Sequence, residues 1–195
     1  MEKVKLRLTL MGLLLFGLFL AGCSSITLPG GENGEDVTID FKDVEDGNLD
    51  ITMENEQGEQ ESFNISSDGE TANFSASDGN STLDSQTGEN LSLPDDFPSD
   101  FPLPDGAKII SIQTMTEDGK KAHSVTFQFQ GDIEATFETY KSFAEEKGYT
   151  IASEMKMDGM YMLSAGDENG NGGFNVNLYE EESGLMGTTL VPVAQ

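Results

Sequence analysis

The chain is poor in the residues that most catalytic and metal sites need. It has one histidine and one cysteine beside 36 acidic and 10 basic residues. It contains no G-x-S-x-G nucleophile motif, no glycine-rich phosphate loop and no C-x-x-C pair. A catalytic pair of carboxylates of the glycosidase type cannot be recognised in this sequence, because among so many acids some pair always has a suitable separation. The sequence therefore predicts a non-enzymatic protein, with a carboxylate-dependent hydrolase as the least favoured alternative.

The single histidine, His123, belongs to a predicted strand from Ala122 to Gln130. Apolar and polar residues alternate along this strand, which is typical of a strand buried on one side. His123 has the apolar parity, so we expect a partly buried structural histidine and not a general base. The opposite parity gives a polar side, which is the predicted binding surface and consists of Ser124, Thr126, Gln128 and Gln130.

Residues 167–172 (DENGNG) resemble the first half of an EF-hand calcium loop. Asp167, Asn169 and Asn171 supply oxygens at loop positions one, three and five, and a glycine follows at six. The twelfth position is Leu178, where the loop needs a bidentate glutamate. A glycine-rich hairpin turn is therefore favoured over weak calcium binding, and no other cofactor is expected.

Methionine is frequent in the predicted C-terminal strands. Its unbranched thioether can fill an irregular core or adapt to several partners, and core filling is our prediction. A copper ion bound by thioethers is less favoured, because no histidine or other soft ligand accompanies the methionines. These residues are Met155, Met157, Met160, Met162 and Met186.

The N-terminus has a basic segment, an apolar segment and a pair of small residues before Cys23. Lys3, Lys5 and Arg7 precede the apolar stretch, which runs from Leu8 to Leu20. The stretch Leu20-Ala21-Gly22-Cys23 resembles the lipobox of bacterial lipoproteins. That resemblance implies that residues 1–22 are a removed signal peptide and that Cys23 carries a diacylglyceryl thioether. Two acyl chains, such as palmitate, give stable attachment to the extracytoplasmic face of the cell membrane.

Two other interpretations of this N-terminus remain open. A transmembrane anchor needs about 20 apolar residues, and the uncharged stretch from Leu8 to Gly22 is shorter. An ordinary secretory signal is the stronger alternative. It leaves Cys23 as an unpaired thiol in an oxidising compartment, which is unfavourable.

The net charge of −26 restricts the partners. Such a field repels nucleic acid and anionic lipid headgroups, so no nucleic acid is expected. The expected partners are the membrane, through the lipid anchor, and an unidentified envelope protein or glycan. The sequence thus predicts a lipid-anchored, extracytoplasmic binding module, with a passive acidic protein of the envelope surface as the alternative.

The segments that follow Cys23 are acidic and rich in turn signals. Residues 23–36 read as a flexible tether. Residues 37–92 alternate short β-capable runs with turns, and their turn glycines recur every 9 to 11 residues, which predicts a β-meander with one strand and one turn per repeat. Because the segment has few large apolar residues, partial disorder is the alternative.

Residues 93–105 form a proline-rich linker between the meander and a C-terminal domain. Four prolines exclude a helix or a central strand here. Phe97 and Phe101 are expected to pack on the following domain as a clasp, and a polyproline ligand for a partner's groove is the alternative.

Residues 106–195 have the clearest periodicity. Asp132 is the predicted N-cap of a helix with apolar residues on one side, and Gly148 ends it. The predicted order is ββαββββ, an α+β domain in which one helix covers a two-layer antiparallel sheet. In outline the chain resembles uncharacterised acidic lipoproteins of Gram-positive bacteria, a resemblance that implies no activity. The apolar stripe of the helix is Ile133, Phe137, Tyr140 and Ala144.

Overall fold

The computed structural model describes residues 25–28, 36–40, 48–54, 60–168 and 172–193. In this part of the chain there are twelve strands and one helix, α1 (Ile133–Glu146). The strands are β1 (Ser25–Leu28), β2 (Asp36–Asp40), β3 (Leu49–Glu54), β4 (Gln60–Ser67), β5 (Thr71–Ser77), β6 (Ser81–Gly88), β7 (Lys108–Glu117), β8 (Lys120–Phe129), β9 (Thr150–Met157), β10 (Met160–Gly166), β11 (Gly173–Glu181) and β12 (Gly184–Pro192).

All twelve strands belong to one antiparallel sheet. Its order is β1-β2-β3-β4-β5-β6-β7-β8-β12-β11-β10-β9. The predicted α+β class and the ββαββββ order are confirmed, but the sheet is larger than predicted. Strand β6 pairs with β7, with Ser81 opposite Glu117 and Thr87 opposite Ser111. The backbone groups along β7 therefore bond to the meander on one side and to β8 on the other, and the two predicted regions share one sheet.

The predicted tether contains a strand. Ser25–Leu28 forms β1 and pairs with β2 from Ser25 opposite Asp40 to Leu28 opposite Val37. The prediction of an unstructured tether is thus wrong for these four residues. The run Ser25-Ile26-Thr27-Leu28 has only four residues, and so short a pattern does not identify a strand by itself. The strand forms because β2 is available to pair with it.

The predicted repeat is visible in two turns of the meander. Asp68 Oδ1 accepts hydrogen bonds from the backbone N–H groups of Glu70 (3.0 Å) and Thr71 (2.7 Å). Ten residues on, Asp78 accepts the same pair of bonds from Asn80 and Ser81, at the same two distances. These bonds stabilise the ionised carboxylates and lower the pKa of both aspartates. The glycine after each aspartate has a positive φ, which the turn requires.

Helix α1 lies on β9, β10 and β11. Asp132 caps it as predicted, accepting a 2.8 Å bond from Ala135 N–H. All four residues of the predicted stripe are buried, including Phe137 and Tyr140. The Tyr140 hydroxyl has no hydrogen-bond partner among the described residues, and burial raises the pKa of this tyrosine.

The proline-rich segment belongs to the core. Phe97 and Phe101 are each 6% exposed, and their rings meet edge to face at 5.8 Å. The Phe101 ring also contacts Tyr140 and Phe174, at 5.6 and 5.5 Å between centroids. The predicted clasp is confirmed. Residues 93–105 are accordingly part of the folded unit rather than a linker between domains.

Three ion pairs join β9 to the helix, and the longest is between Lys156 and Glu134 at 3.6 Å. Lys156 of β9 lies 2.8 Å from Glu138, and Lys141 of α1 lies 3.0 Å from Glu154. The Lys156 ammonium also lies 4.9 Å from the centre of the Phe137 ring. Because successive side chains of a strand point to opposite sides, these contacts determine which residues of β9 face away from α1.

Candidate functional site

His123 is buried in a polar chain that joins three segments. Its side chain is 1% exposed, and Nε2 lies 2.9 Å from Asp96 Oδ1. On the other side of the ring, Nδ1 lies 3.0 Å from Thr114 Oγ1 of β7. Lys121 donates a 2.7 Å bond to the second oxygen of Asp96. The predicted buried, structural histidine is confirmed in its burial, and its partners Asp96 and Thr114 were not predicted.

The order Thr114, His123, Asp96 resembles a nucleophile, a base and an orienting carboxylate. Its surroundings favour a structural role. The Phe97 ring packs 6.1 Å from the imidazole between centroids, and burial leaves the imidazole no contact with solvent. A general base must come within hydrogen-bond reach of its substrate. These contacts hold the proline-rich segment against β7 and β8.

A shallow polar cavity of about 260 Å³ lies beside Thr114, on the same side of the sheet as α1. Ser75 donates a 2.7 Å bond to Asp84 there, and Gln86 donates to Asn73 at 3.2 Å. Since these polar groups already bond to one another, the cavity offers few unused donors to a ligand. Its lining is Asn73, Phe74, Ser75, Asp84, Ser85, Gln86, Ser92, Pro94, Ile112 and Thr114.

The side of the sheet that faces away from α1 is here called the open face. Among the described residues, both the helix and the proline-rich clasp lie on the other side, against Phe174 and His123. The strand pairing assigns residues to the open face, because directly opposed residues point the same way. This face is therefore a surface that runs across the whole sheet.

An apolar row crosses the open face of the meander. Ile39 opposes Ile51, Ile51 opposes Phe63, and Phe63 opposes Ala76. The row continues to Leu83 and then to Met115 of β7. All are partly exposed. This row was not predicted from the sequence, and it consists of Ile39, Ile51, Phe63, Ala76, Leu83 and Met115.

A neutral polar patch follows the apolar row on β8, β12 and β11. The predicted binding residues Ser124, Thr126 and Gln128 do lie on the open face, each partly exposed, and Gln130 is exposed just beyond the end of β8. Thr126 opposes Thr188, with 3.2 Å between their hydroxyl oxygens. The polar patch is Ser124, Thr126, Gln128, Thr188 and Asn177.

Charge is nearly absent from the middle of the open face. In the described strands, its charged side chains stand at strand ends, as do Glu61, Glu117 and Glu181. Acids within strands lie on the side of α1 instead. Asp50 bonds with Asn64 there, and Asp84 with Ser75. In a chain of net charge −26, the middle of the open face thus stands apart from the acidic side chains.

The prediction that the methionines fill the core is wrong for four of the five. Met186 is buried, with 9% of its surface exposed, although it opposes Gln128 on the side of the open face. The other four point to the open face at the edge of the sheet. The residue between each pair of methionines, Lys156 in β9 and Tyr161 in β10, points to the side of α1 instead. Their exposures are 48% for Met155, 59% for Met157, 42% for Met160 and 37% for Met162.

The candidate calcium loop connects β10 to β11 as a hairpin. Gly166 opposes Gly173, and Asp167 N–H donates a 3.1 Å bond to the Gly172 carbonyl. Asn169 and Asn171 lie outside the described residues, so calcium binding stays a prediction. Within the ranges that the structure describes, no three acidic, histidine or cysteine side chains are grouped to hold a metal ion.

The signal peptide and Cys23 also lie outside the described residues, and lipidation stays a prediction. Over the described ranges, no helix has the length and apolar character needed to span a bilayer.

Residues 109–184 match the model of a START domain-like family. The match extends from β7 to the beginning of β12, which is less than half of the chain. The chain is therefore similar to this family over its helix-bearing part. No curated protein and no solved structure matches the chain.

Proposed function

We propose that the protein is a lipid-anchored, extracytoplasmic binding module without catalytic activity, and that it binds through the open face. The observation that carries the proposal is the separation of charge. A surface whose middle lacks charge, in a strongly acidic protein, has the composition of an interface core, from which charged residues are depleted. A contiguous apolar strip rimmed by polar residues marks an interaction site in soluble proteins.

The chemistry of the open face specifies a neutral partner. The apolar row offers area to an apolar protein surface, and the polar patch offers hydroxyl and amide groups that bond to a peptide or a glycan. An envelope protein or a glycan fits both requirements. A polyanion does not, because the acids on the other side of the sheet and at the turns repel it over distances of about 8 Å at physiological salt.

Site-specific photocrosslinking in intact cells tests the proposal. A photoreactive residue at Gln113, exposed on the open face, is compared with one at Glu145, exposed on α1. We expect a reproducible adduct from Gln113 and none from Glu145. Equal labelling at both positions, or labelling at Glu145 alone, contradicts the proposal, and a complete lack of adducts favours a passive surface protein.

Two sets of substitutions then separate the parts of the face. Phe63→Ser interrupts the apolar row, and Thr126→Ala with Thr188→Ala removes the central hydroxyls of the polar patch. Loss of the adduct with Phe63→Ser indicates a protein partner on the apolar row, and loss with the threonine pair indicates a glycan or peptide on the patch. Substrate turnover that depends on one carboxylate would instead favour the hydrolase alternative.

A further inference from the structure

Four thioethers lie together on one hairpin at the free edge of the sheet. Met155 opposes Met162 and Met157 opposes Met160 in the pairing of β9 with β10. Directly opposed residues have Cβ atoms about 5 Å apart, and neighbours along one face of a strand are about 7 Å apart. We call Met155, Met157, Met160 and Met162 the methionine quartet.

The hairpin is held so that the quartet stays at the surface. On its other side, Lys156 pairs with Glu138, and Tyr161 packs on Phe137 with 5.4 Å between ring centroids. Leu163 is buried beneath the helix. A register slip would place these residues in water and the methionines in the core, so the register is strongly fixed.

The residue type is informative as well as the position. An exposed apolar strip on a strand is best built from valine, isoleucine or aromatic residues, which fit a pleated surface better than methionine. What four methionines add is sulfur. Thioethers are soft ligands that select Cu(I) over hard cations, and three rotatable bonds per side chain let neighbouring sulfur atoms converge on one ion.

We propose that the methionine quartet binds a soft monovalent cation, Cu(I) or its analogue Ag(I), through three or four thioether sulfurs. No proton has to leave when such a site fills, because a thioether carries no ionisable proton. No electron is transferred, because the ion binds in the Cu(I) state. The acidic field of the chain raises the local cation concentration and favours loading. The site is independent of the proposed function, since it needs neither the apolar row nor the polar patch.

Anaerobic titration of the full chain with Cu(I), against a chromophoric Cu(I) chelator, tests this site. We expect one ion per chain, and the same stoichiometry with Ag(I). The methyl NMR signals of the quartet shift on loading, whereas those of Met53 and Met115 do not. Calcium and zinc at the same concentration leave the quartet signals unchanged.

Leucine substitutions identify the ligands. Met157→Leu and Met160→Leu each remove one sulfur ligand. Each should weaken Cu(I) binding by about tenfold or more, since even the loss of a group that supports a ligand has an effect of this size. The fourfold leucine variant should bind no Cu(I). The control is Met53→Leu with Met115→Leu, which removes two thioethers elsewhere on the open face and leaves binding unchanged. Since the quartet is exposed, all these variants keep the parent's melting temperature.

The pH dependence separates thioethers from other ligands. Binding by imidazole, thiolate or carboxylate weakens as the pH falls, because protons compete with the metal. We expect equal Cu(I) affinity at pH 7.5 and pH 5. The proposal is overturned if the chelator removes all Cu(I) from the parent protein, or if the fourfold leucine variant binds Cu(I) as the parent does.

Discussion

His123 Nε2 and Asp96 Oδ1 lie 2.9 Å apart, although 27 residues separate them in the chain. An ionised carboxylate only accepts hydrogen bonds, so we infer that Nε2 carries a proton directed at Asp96. On the other side of the ring, Nδ1 lies 3.0 Å from the Thr114 hydroxyl oxygen. Phe97 and Phe101 hold the proline-rich segment on the sheet by apolar packing. The contact between Asp96 and His123 holds the same segment by a polar interaction.

Asp96→Ala should therefore destabilise the protein by about 1–3 kcal/mol, the cost of leaving a buried donor unsatisfied. Urea unfolding followed by circular dichroism measures the loss. The matched control is Asp95→Ala, an exposed neighbour that should change the unfolding free energy little. Equal effects of the two variants would show that His123 does not need Asp96.

The same contact predicts a dependence on pH. The hydrogen bond from Lys121 and the neighbouring His123 lower the pKa of Asp96 in the folded state. A lowered folded-state pKa contributes stability that is complete above the unfolded value, about 3.9 for aspartate, and is lost as the pH falls through the folded value. The contribution of the Asp96 carboxylate should thus be lost below pH 4, where the difference in unfolding free energy between the parent and Asp96→Asn should shrink as the pH falls further. A difference that grows in acid would contradict this sign.

Gly187→Ala should destabilise the core. A Cβ at Gly187 would overlap the ring of Phe127, which is fully buried and has no room to move. Overpacking of this kind costs about 1–3 kcal/mol. Phe127→Leu in the Gly187→Ala background should recover part of the loss, because the two side chains compete for one volume. Additive losses in the double variant would locate the strain elsewhere.

Truncation should show where the stable unit begins. Leu91 N–H donates a 2.9 Å bond to the Ile109 carbonyl, and Phe97 and Phe101 fill the core. A fragment of residues 89–195 should melt cooperatively. A fragment of residues 106–195 lacks both phenylalanines and should melt at a lower temperature or without cooperativity, since loss of one buried phenylalanine costs about 3–5 kcal/mol. Thermal melts by circular dichroism compare them, and identical melts would refute a structural role for the clasp.

Cys23→Ser should abolish membrane attachment if the lipobox is used. The parent should fractionate with membranes and partition into detergent, whereas the variant should be released or accumulate as precursor. Mass spectrometry of the N-terminal peptide gives the acyl mass directly. Equal membrane retention of both proteins after leader removal would end the lipoprotein interpretation.

Most of the correct predictions came from the regular spacing of apolar residues along the helix and the strands. The stripe from Ile133 to Ala144 and the alternation from His123 to Phe129 are local patterns, and both are buried as expected. Aspartate-glycine turns were also predictable, because the aspartate side chain bonds to its own turn. These features depend on neighbours a few residues away.

The sequence did not predict contacts that depend on strand order. Strand β8 pairs with β12, about 60 residues on, and no local pattern specifies that pairing. The link between Asp96 and His123 spans 27 residues, and no local pattern specifies it either. The methionines were misassigned for a related reason: alternation shows that Met155 and Met157 share a face with each other, but not which face the helix covers.

The position of β1 bears on the geometry of the predicted lipid anchor. Cys23 precedes Ser25, the first residue of β1, by two positions, and β1 forms one edge of the sheet while β9 forms the other. Twelve strands spaced by about 4.8 Å extend roughly 50 Å from edge to edge. If acyl chains hold Cys23 in the bilayer, β1 is the edge strand that lies nearest the membrane. The methionine quartet then lies at the opposite edge of the sheet, eleven strand spacings away from β1.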